Sequence, residues 1–390
     1  LNLYASSYYM SLINNPTFML NNPINGDEFE QEDDRILLGG SLSNEVETEI
    51  FGIPVTRNIG TDMRYDNVSE LNLFYTVGRK RFKSLREDEA EELSIGAFAD
   101  LEFSLTDQLR ATLGVRFDYY DFEIEALRPG NSGGDNDSLW QPKVSLAYSL
   151  NENFELYANY GQGFHSNDAR VAVNTIDPAT GDPSASMDAL VKGKGNEIGF
   201  RYDTLEGFNF TIARFELDLD SELMFVGDAG TTEPGLPSRR DGIELASFWE
   251  INEPLAFDFS VSKTDGHFRG LPSGENAIPD AHDLVAAAGL TYHVPNGWTT
   301  SLRVRHFSDA VLTEDESVKK SSSTLIHFGV SYEQDSWELG LDVFNLLDRE
   351  DDDIAYWFES RLLSEGVAVE DVHFHPSNRR ALRLLLKYKL

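Results

Sequence analysis

A short polar segment near the middle of the 390-residue chain carries side chains that can bind a ligand. The segment GFHSNDAR contains four side chains of different chemistry within six positions: His165, Asn167, Asp168 and Arg170. An imidazole, an amide, a carboxylate and a guanidinium can together hydrogen-bond a small ligand. They can equally fix the loop itself, because Asn and Asp stabilise turns through local hydrogen bonds. The segment therefore predicts a ligand contact or a structured loop, and both readings stay open.

The same segment raises the question of catalysis, because Ser166 lies between His165 and Asp168. Adjacent residues of a strand point to opposite faces, which argues against the three side chains acting as a hydrolytic triad. The sequence also lacks a phosphate-binding glycine loop, a G-x-S-x-G turn and any zinc-type Cys spacing. We predict that the chain is not an enzyme and binds no cofactor.

A second candidate site lies in EDVHFH near the end of the chain. His373 and His375 alternate and would share one face of an extended segment. Two imidazoles beside the carboxylate of Asp371 suit a transition metal. A metal site needs a third or fourth ligand in space, and the alternative is a pair of histidines at a strand edge. The metal reading stays a hypothesis.

Composition limits the class of protein. The chain has 67 acidic and 32 basic residues and no Cys. Its net charge of -35 opposes binding to nucleic acid. A hydrophobic content of 41% excludes a disordered acidic chain. No run approaches the roughly 18 apolar residues of a membrane-spanning helix. A membrane protein of this composition would have to be a closed barrel of strands.

Alternation with a period of two is the dominant pattern. From Leu93 to Leu105 every odd position is apolar, and the residues between are small or polar except Phe98. The stretch that ends in Leu384, Leu386 and Tyr388 alternates in the same way. Such segments of about ten residues are typical of strands with one oily and one polar face.

Short polar links alternate strictly with long connections along the chain, which places all the short turns at one end of a sheet. This rhythm predicts an all-β, antiparallel transmembrane β-barrel with short periplasmic turns and long extracellular loops. We expect about 16 strands, near 1–13, 35–45, 54–66, 93–105, 109–125, 139–150, 153–161, 193–204, 208–220, 241–250, 254–264, 283–294, 297–308, 323–332, 335–348 and 380–390.

Two details accompany this assignment. The segment from Leu71 to Phe82 resembles a strand but falls within an extracellular connection, so we expect a hairpin that rises above the membrane. The apolar register shifts between Ile212 and Phe215, which predicts a bulge near Arg214.

The polar positions of the strands carry charges that would point into the lumen of the barrel. Facing acids such as Asp118, Asp258 and Asp342 would pair with them along the wall. The basic residues predicted to face the lumen include Arg110, Arg116, Arg303, Arg305 and Arg383.

Several stretches resemble one known family. YANYGQGFHSNDAR from Tyr157 to Arg170 resembles the strand-to-loop signature of TonB-dependent receptors, LDVFNLLDRE resembles their penultimate strand, and RRALRLLLKYKL resembles their closing strand. The resemblance implies a 22-stranded barrel with a plugged lumen. Residues 1–390 would then be the C-terminal part of that barrel, with the plug domain and the first strands absent. The family usually ends in an aromatic residue, whereas this chain has Leu390, with Tyr388 two positions earlier.

The resemblance implies an outer-membrane receptor of Gram-negative bacteria for energy-coupled uptake of a scarce nutrient, with a ferric siderophore as the leading expectation. Its implied partners are outer-membrane lipid, the barrel assembly machinery, and the TonB-ExbB-ExbD system acting through the plug. A passive porin complete in about 16 strands is the first alternative. A soluble, secreted β-rich binding protein is the second.

Overall fold

A computed structural model describes residues 1–177, 181–184, 186–204, 207–226 and 231–388, with the side chains of 223–226 and 231–234 left undescribed. Strands dominate this part of the chain, and they are joined by one α-helix and a 3-10 turn at Pro129–Asn131. In chain order the elements are β1 (Asn2–Asn14), β2 (Phe29–Ile50), β3 (Ile53–Val77), β4 (Lys80–Ser104), β5 (Leu109–Ala126), β6 (Gly133–Ser149), β7 (Phe154–Ser166), α1 (Ala169–Val173), β8 (Leu190–Asp203), β9 (Phe208–Leu219), β10 (Leu223–Val226), β11 (Thr231–Pro234), β12 (Ser238–Asn252), β13 (Leu255–Phe268), β14 (Leu284–Val294), β15 (Trp298–Phe307), β16 (Ala310–Val311), β17 (Lys319–Lys320), β18 (Ser323–Gln334), β19 (Trp337–Phe344), β20 (Asp352–Ser360), β21 (Val369–Pro376) and β22 (Ala381–Tyr388).

One antiparallel sheet of 16 strands organises the molecule. Its order is β1-β2-β3-β4-β5-β6-β7-β8-β9-β12-β13-β14-β15-β18-β19-β22, so neighbours in the chain are neighbours in the sheet apart from short inserted hairpins. Each of the 16 strands predicted from the sequence overlaps one of these, which confirms the predicted all-β antiparallel fold. Among the described residues, β1 and β22 each have a single paired neighbour.

The sheet has two chemically distinct faces, because side chains alternate along every strand. The register places apolar residues opposite apolar residues: Ile95 pairs with Tyr119 and Leu101 with Leu113 on the apolar face. Ile198 on that face is 65% exposed, as expected of a side chain that meets lipid. The opposite face, here called the polar face, carries residues such as Asp62 and Arg116. No helix of the described residues is long and apolar enough to cross a membrane.

Backbone pairing runs beyond the predicted strand ends at the end of the sheet that carries the long connections. β3 and β4 stay paired up to Val77 and Lys80, so the segment Leu71 to Phe82 is the top of a tall hairpin. This confirms the hairpin predicted for that connection. The predicted boundaries near 66 and 93 were wrong, because strands continue where the outer face is no longer apolar.

The predicted bulge near Arg214 is not present. β9 pairs with β8 and with β12 without a shift in register through this region. Arg214 therefore lies on the same face as Ile212, and so does Asp218, which is bonded by Arg239 at 2.8 Å. The apolar face becomes charged here because the strand has passed the end of the apolar band, and the sequence pattern resembled a slip.

Three long connections contain small hairpins of their own, β10-β11, β16-β17 and β20-β21. The connection after β1 bonds to the hairpin β20-β21: Met19 N–H donates to the carbonyl of Arg361 at 2.9 Å, and Arg361 N–H donates to that of Thr17 at 3.2 Å. These connections belong to opposite ends of the strand order. The sheet must therefore curve until the two ends approach each other at this side of the molecule.

Candidate functional site

The segment after β7 folds back onto the polar face. β7 leaves β6 after the pair Lys143 and Gly161 and continues beside β8 alone, so the chain can turn inward. α1 then places Ala169 and Ala172 against a buried apolar cluster near the long-connection end. Alanine suits this contact because its short side chain lets a helix lie close to a sheet. The sheet and the segment contribute to this cluster Val68, Ala90, Phe122, Ile124 and Ala189.

Asn167 fixes the base of this docked segment, which comprises the described residues 167–177, 181–184 and 186–189. Its backbone N–H donates to the carbonyl of Ala189, and its side-chain amide donates to that of Asp188, both at 2.8 Å. Met187 N–H donates to Val171 at 3.0 Å higher in the segment. Asn167 is 8% exposed, so these bonds are shielded from water. The loop-stabilising reading of Asn167 has a clear structural basis.

Asn131 performs a similar task from the neighbouring connection, and sequence reasoning did not identify it. Its amide donates to the carbonyl of Ile176 at 2.8 Å, and its amide oxygen accepts from Thr175 and Ile176 at 3.1 and 3.0 Å. It is 4% exposed. Nothing distinguishes it in the sequence from other polar loop residues, because its partners are about 45 positions away.

Asp168 and Arg170 form a charged pair at the start of α1. The Asp168 carboxylate caps the helix by accepting from Arg170 N–H at 2.9 Å, and the guanidinium reaches it at 2.6 Å. Burial would raise the pKa of Asp168, but the charge and hydrogen bonds of Arg170 and the charge of Arg86 outweigh it and hold the pKa below its usual range. For Arg170 burial opposes the charged form, yet Asp168 and then Asp88 raise the pKa overall.

Acid should loosen the docked segment. Because the pKa of Asp168 is lower here than in an unfolded chain, where it is about 3.9, its contribution is complete above that value and is lost as the pH falls through the lowered pKa. Hydrogen exchange of residues 167–177, corrected for intrinsic rates, should rise below about pH 4. Asp168→Asn keeps a capable helix cap and should flatten part of this dependence. An unchanged profile in that variant would remove Asp168 from the explanation.

Below the docked segment, the polar face carries ion pairs that cross the strands. Arg116 donates to both oxygens of Asp62 at 2.7 and 2.8 Å and to both oxygens of Asp118 at 2.7 and 2.6 Å. Asp118 is 2% exposed and also accepts from Gln141. Such two-pronged pairs fix a guanidinium both in charge and in direction. The guanidinium of Arg116 is therefore held in one orientation on the polar face.

Glycines on the polar face make room for these guanidinium groups. A Cβ at Gly96 would lie 2.1 Å from Nη2 of Arg116, and one at Gly289 would lie 2.0 Å from Nη1 of Arg303. Both arginines lie flat across a neighbouring strand instead of pointing away from it. These glycines, which alternate with apolar residues in the sequence, thus leave space for the arginine side chains.

The other basic residues predicted to face the lumen all lie on the polar face. Arg305 differs from the rest, since its guanidinium lies 5.2 Å from the ring centre of Phe307. The others pair with acids: Arg110 with Glu155 at 2.7 Å, Arg303 with Asp258 at 2.6 Å and Arg383 with Asp342 at 2.8 Å. No finding tests a functional role for them, which stays a prediction.

The predicted site histidines lie in separate places. His165 pairs with Val191 at the end of β7, two residues before the docked segment begins. His373 and His375 lie in the hairpin β20-β21, where the His373 ring stacks on Phe358 at 3.7 Å. The described residues contain no group of three or more potential metal ligands, so the structure adds no further ligand to this pair.

A small cavity of about 160 Å³ lies beside the base of the docked segment. Its polar lining includes Asn167, Lys192, Asp220 and Ser221. The side-chain oxygen of Asn167 is buried and accepts no hydrogen bond from the described residues. Among the predicted ligand-binding residues, Asn167 is thus the one that combines a cavity with an unused acceptor.

Comparison with known proteins identifies the family. The family model described as TonB dependent receptor-like, beta-barrel matches residues 1–346. Curated relatives include the ferric-pyoverdine BN7/BN8 receptor of Pseudomonas putida, 24% identical over half of this chain and 24% of its own length. The metal-pseudopaline receptor CntO of Pseudomonas aeruginosa is 26% identical over 47% of this chain and 26% of its own length.

Solved structures share the fold. The ferric preacinetobactin receptor BauA from Acinetobacter baumannii superposes with a TM-score of 0.72 at 16% identity, over 98% of this chain and 59% of its own. The chain spans about a quarter of the length of the curated relatives it matches and under two thirds of the solved chain. These matches are receptors, in agreement with the prediction that the chain is not an enzyme.

Proposed function

Because the chain belongs to the TonB-dependent receptor β-barrel family, and so to the outer membrane, we propose that it serves in energy-coupled uptake of a ferric siderophore. The polar face is then the lumenal wall, and the long connections are extracellular. The apolar face contacts outer-membrane lipid. Two named relatives are receptors for ferric or other metal complexes, which supports this class of solute for this chain.

The observation that carries the proposal is the docked segment. It packs against the proposed lumenal wall at the extracellular end, and it places Asn167 beside a cavity. A solute entering the lumen from outside would meet this segment. We propose that Asn167 contacts the solute and that Asp168 and Arg170 hold the segment in position. His165 precedes them at the end of β7.

The charged lumenal wall fits a second element of the proposal. Rows of two-pronged ion pairs such as Arg116 with Asp62 and Asp118 are suited to contact a folded plug domain, which TonB would act upon. Residues 1–390 would be the C-terminal part of the barrel, with further strands beside β1 and β22. The chain's 59% coverage of a solved receptor supports this arrangement.

Uptake of iron tests the proposal directly. Cells that produce the complete receptor as their only route for iron should accumulate ferric siderophore from a panel of radiolabelled complexes. Accumulation should stop when the proton gradient is dissipated, since a passive pore needs no energy. Asn167→Ala should raise the concentration for half-maximal uptake, while Asn196→Ala, on β8 outside the docked segment, should not.

Each opposing result has a definite meaning. Uptake that continues without the proton gradient would replace the energy-coupled receptor by a passive porin. Failure to accumulate any iron complex, with normal amounts of receptor in the outer membrane, would reject iron as the nutrient.

A further inference from the structure

The tip of the β3-β4 hairpin carries a dense positive charge in a chain whose net charge is -35. Gly78 and Arg79 both have positive φ, 55° and 63°, and turn the chain back at once, as in the two-residue turns that suit hairpins. We call residues 79–83 the basic tip, with the sequence Arg79, Lys80, Arg81, Phe82 and Lys83.

The basic tip stands well clear of the lipid. Tyr65 and Leu93 form the last pair of outward apolar residues on β3 and β4. From Leu93 to Lys80, at about 3.3 Å per residue, the strand runs roughly 40 Å farther. Lipid head groups therefore lie near the foot of the hairpin, and the tip faces the surrounding solution.

Arg81 is the one cation of the tip that forms an ion pair within 4 Å among the described residues. Arg81 donates to both oxygens of Glu30 at 2.7 and 2.8 Å and lies 2.9 Å from Glu32. Arg79, Lys80 and Lys83 are exposed, and the charged group of none lies within 4 Å of a carboxylate among the described residues. Arg79 instead uses its backbone N–H, which donates to Glu28 at 2.7 Å. This hydrogen bond and, to a smaller extent, the charge of Arg79 lower the pKa of Glu28, so the Glu28 carboxylate is nevertheless close to that cation.

An aromatic platform lies between these cations. Phe82 is 56% exposed, and its ring stacks on Tyr75 with the planes 18° apart. The ammonium of Lys83 lies 5.4 Å from the Tyr75 ring centre. Exposed cations next to a fixed ring offer both charge and a flat surface to a partner.

Charge also limits the size of that partner. Glu87, Glu89 and Glu91 are exposed on β4 directly below the tip. At physiological salt charges are screened over about 8 Å, so an anion of that size senses mainly the tip. A long polyanion would extend over the acidic residues and be repelled. The geometry thus favours a small anion with several charges close together.

We propose that the basic tip binds a small, soluble polycarboxylate anion at the extracellular end, before the solute enters the mouth. Arg79, Lys80 and Lys83, whose charged groups form no ion pair within 4 Å among the described residues, supply the attraction, and the ring of Phe82 supplies a contact surface. The inference rests on the proposed uptake function, for which it specifies an anionic solute and a first point of capture.

Citrate, which carries about three negative charges at neutral pH, is the probe. Its binding to the purified receptor in detergent is measured by isothermal titration at about 50 and about 500 mM NaCl. The test variant is Arg79→Gln/Lys80→Gln/Lys83→Gln. The control variant removes three other exposed lysines that lack ion pairs, Lys194→Gln/Lys263→Gln/Lys319→Gln. We expect the test variant to weaken binding at least about tenfold, and the control to weaken it less than about twofold.

Salt should weaken citrate binding to the unchanged receptor and to the control alike. Absent citrate binding, or equal binding by both triple variants, would overturn the proposal. Binding of heparin without binding of citrate would also overturn it, in favour of a polymeric partner. Uptake of ferric siderophore is measured on the same variants. Normal uptake without citrate binding by the unchanged receptor rejects only the proposal that the basic tip binds an anion. Absence of uptake by the unchanged receptor rejects the proposed function.

Discussion

Arg116→Met should destabilise the barrel by about 3 kcal/mol, the cost typical of leaving one partner of a buried ion pair without its counter-charge. Asp118 is the reason, because its side chain is 3% exposed and, among the described residues, would keep only the hydrogen bond from Gln141. Asp62, at 40% exposure, can turn to water and contributes less. The measurement is the denaturant midpoint of unfolding in lipid vesicles, followed by tryptophan fluorescence.

Arg303→Met is the matched control. It removes the same group from the same face of the sheet, but Arg303 and its single partner Asp258 are 50% and 37% exposed. An exposed pair of this kind contributes less than about 1 kcal/mol. Equal losses in the two variants would show that burial of Asp118 does not set the cost.

These two arginines show what the sequence reveals and what it hides. Alternation placed both on the polar face, because the period of two along a strand is a local property of the backbone. Together with the rhythm of short and long connections, it also predicted the 16 strands of the sheet. The sequence did not distinguish a buried, two-pronged pair from an exposed one, since Arg116 and Asp62 are 54 residues apart and meet only through the register of β3, β4 and β5.

Errors of the sequence reading have a common origin. The alternation predicts strands only where one side meets lipid, so it stopped short on β3 and β4 and suggested a bulge at Arg214, where the outer face becomes charged. Backbone hydrogen bonds continue across that boundary because they do not depend on the side chains. The ends of the apolar band were thus mistaken for irregularities of the strands.

The candidate site was partly visible in advance. Asn167, Asp168 and Arg170 attracted attention because polar side chains cluster after a strand. Their roles depend on contacts that no local pattern encodes: the segment docks on Phe122 and Ile124, and Asn131 ties it down from another connection. Docking of this kind is decided by tertiary packing, for which a single sequence carries little signal.

Arg170→Met tests that docking, and we expect it to destabilise the docked segment by about 1.5 kcal/mol. The value is below that of a fully buried pair because the Asp168 side chain is 36% exposed, and Arg86 still acts on it electrostatically. In the Arg170→Met variant, Asp168 lies near Asp88 without its main counter-charge. Hydrogen exchange of residues 167–177 should accelerate roughly tenfold, with little change in the rest of the sheet.

The variant Asp168→Asn/Arg170→Met separates charge from packing. If the pair acts as a unit, removing both charges should cost less than the sum of the two single changes, by at least about 0.5 kcal/mol. Additive effects would mean that Arg170 acts through the packing of its aliphatic stem on the sheet. A coupled pair, in contrast, makes the segment a separately stabilised part of the mouth, able to loosen when a solute or acid disturbs Asp168 while the barrel beneath it stays folded.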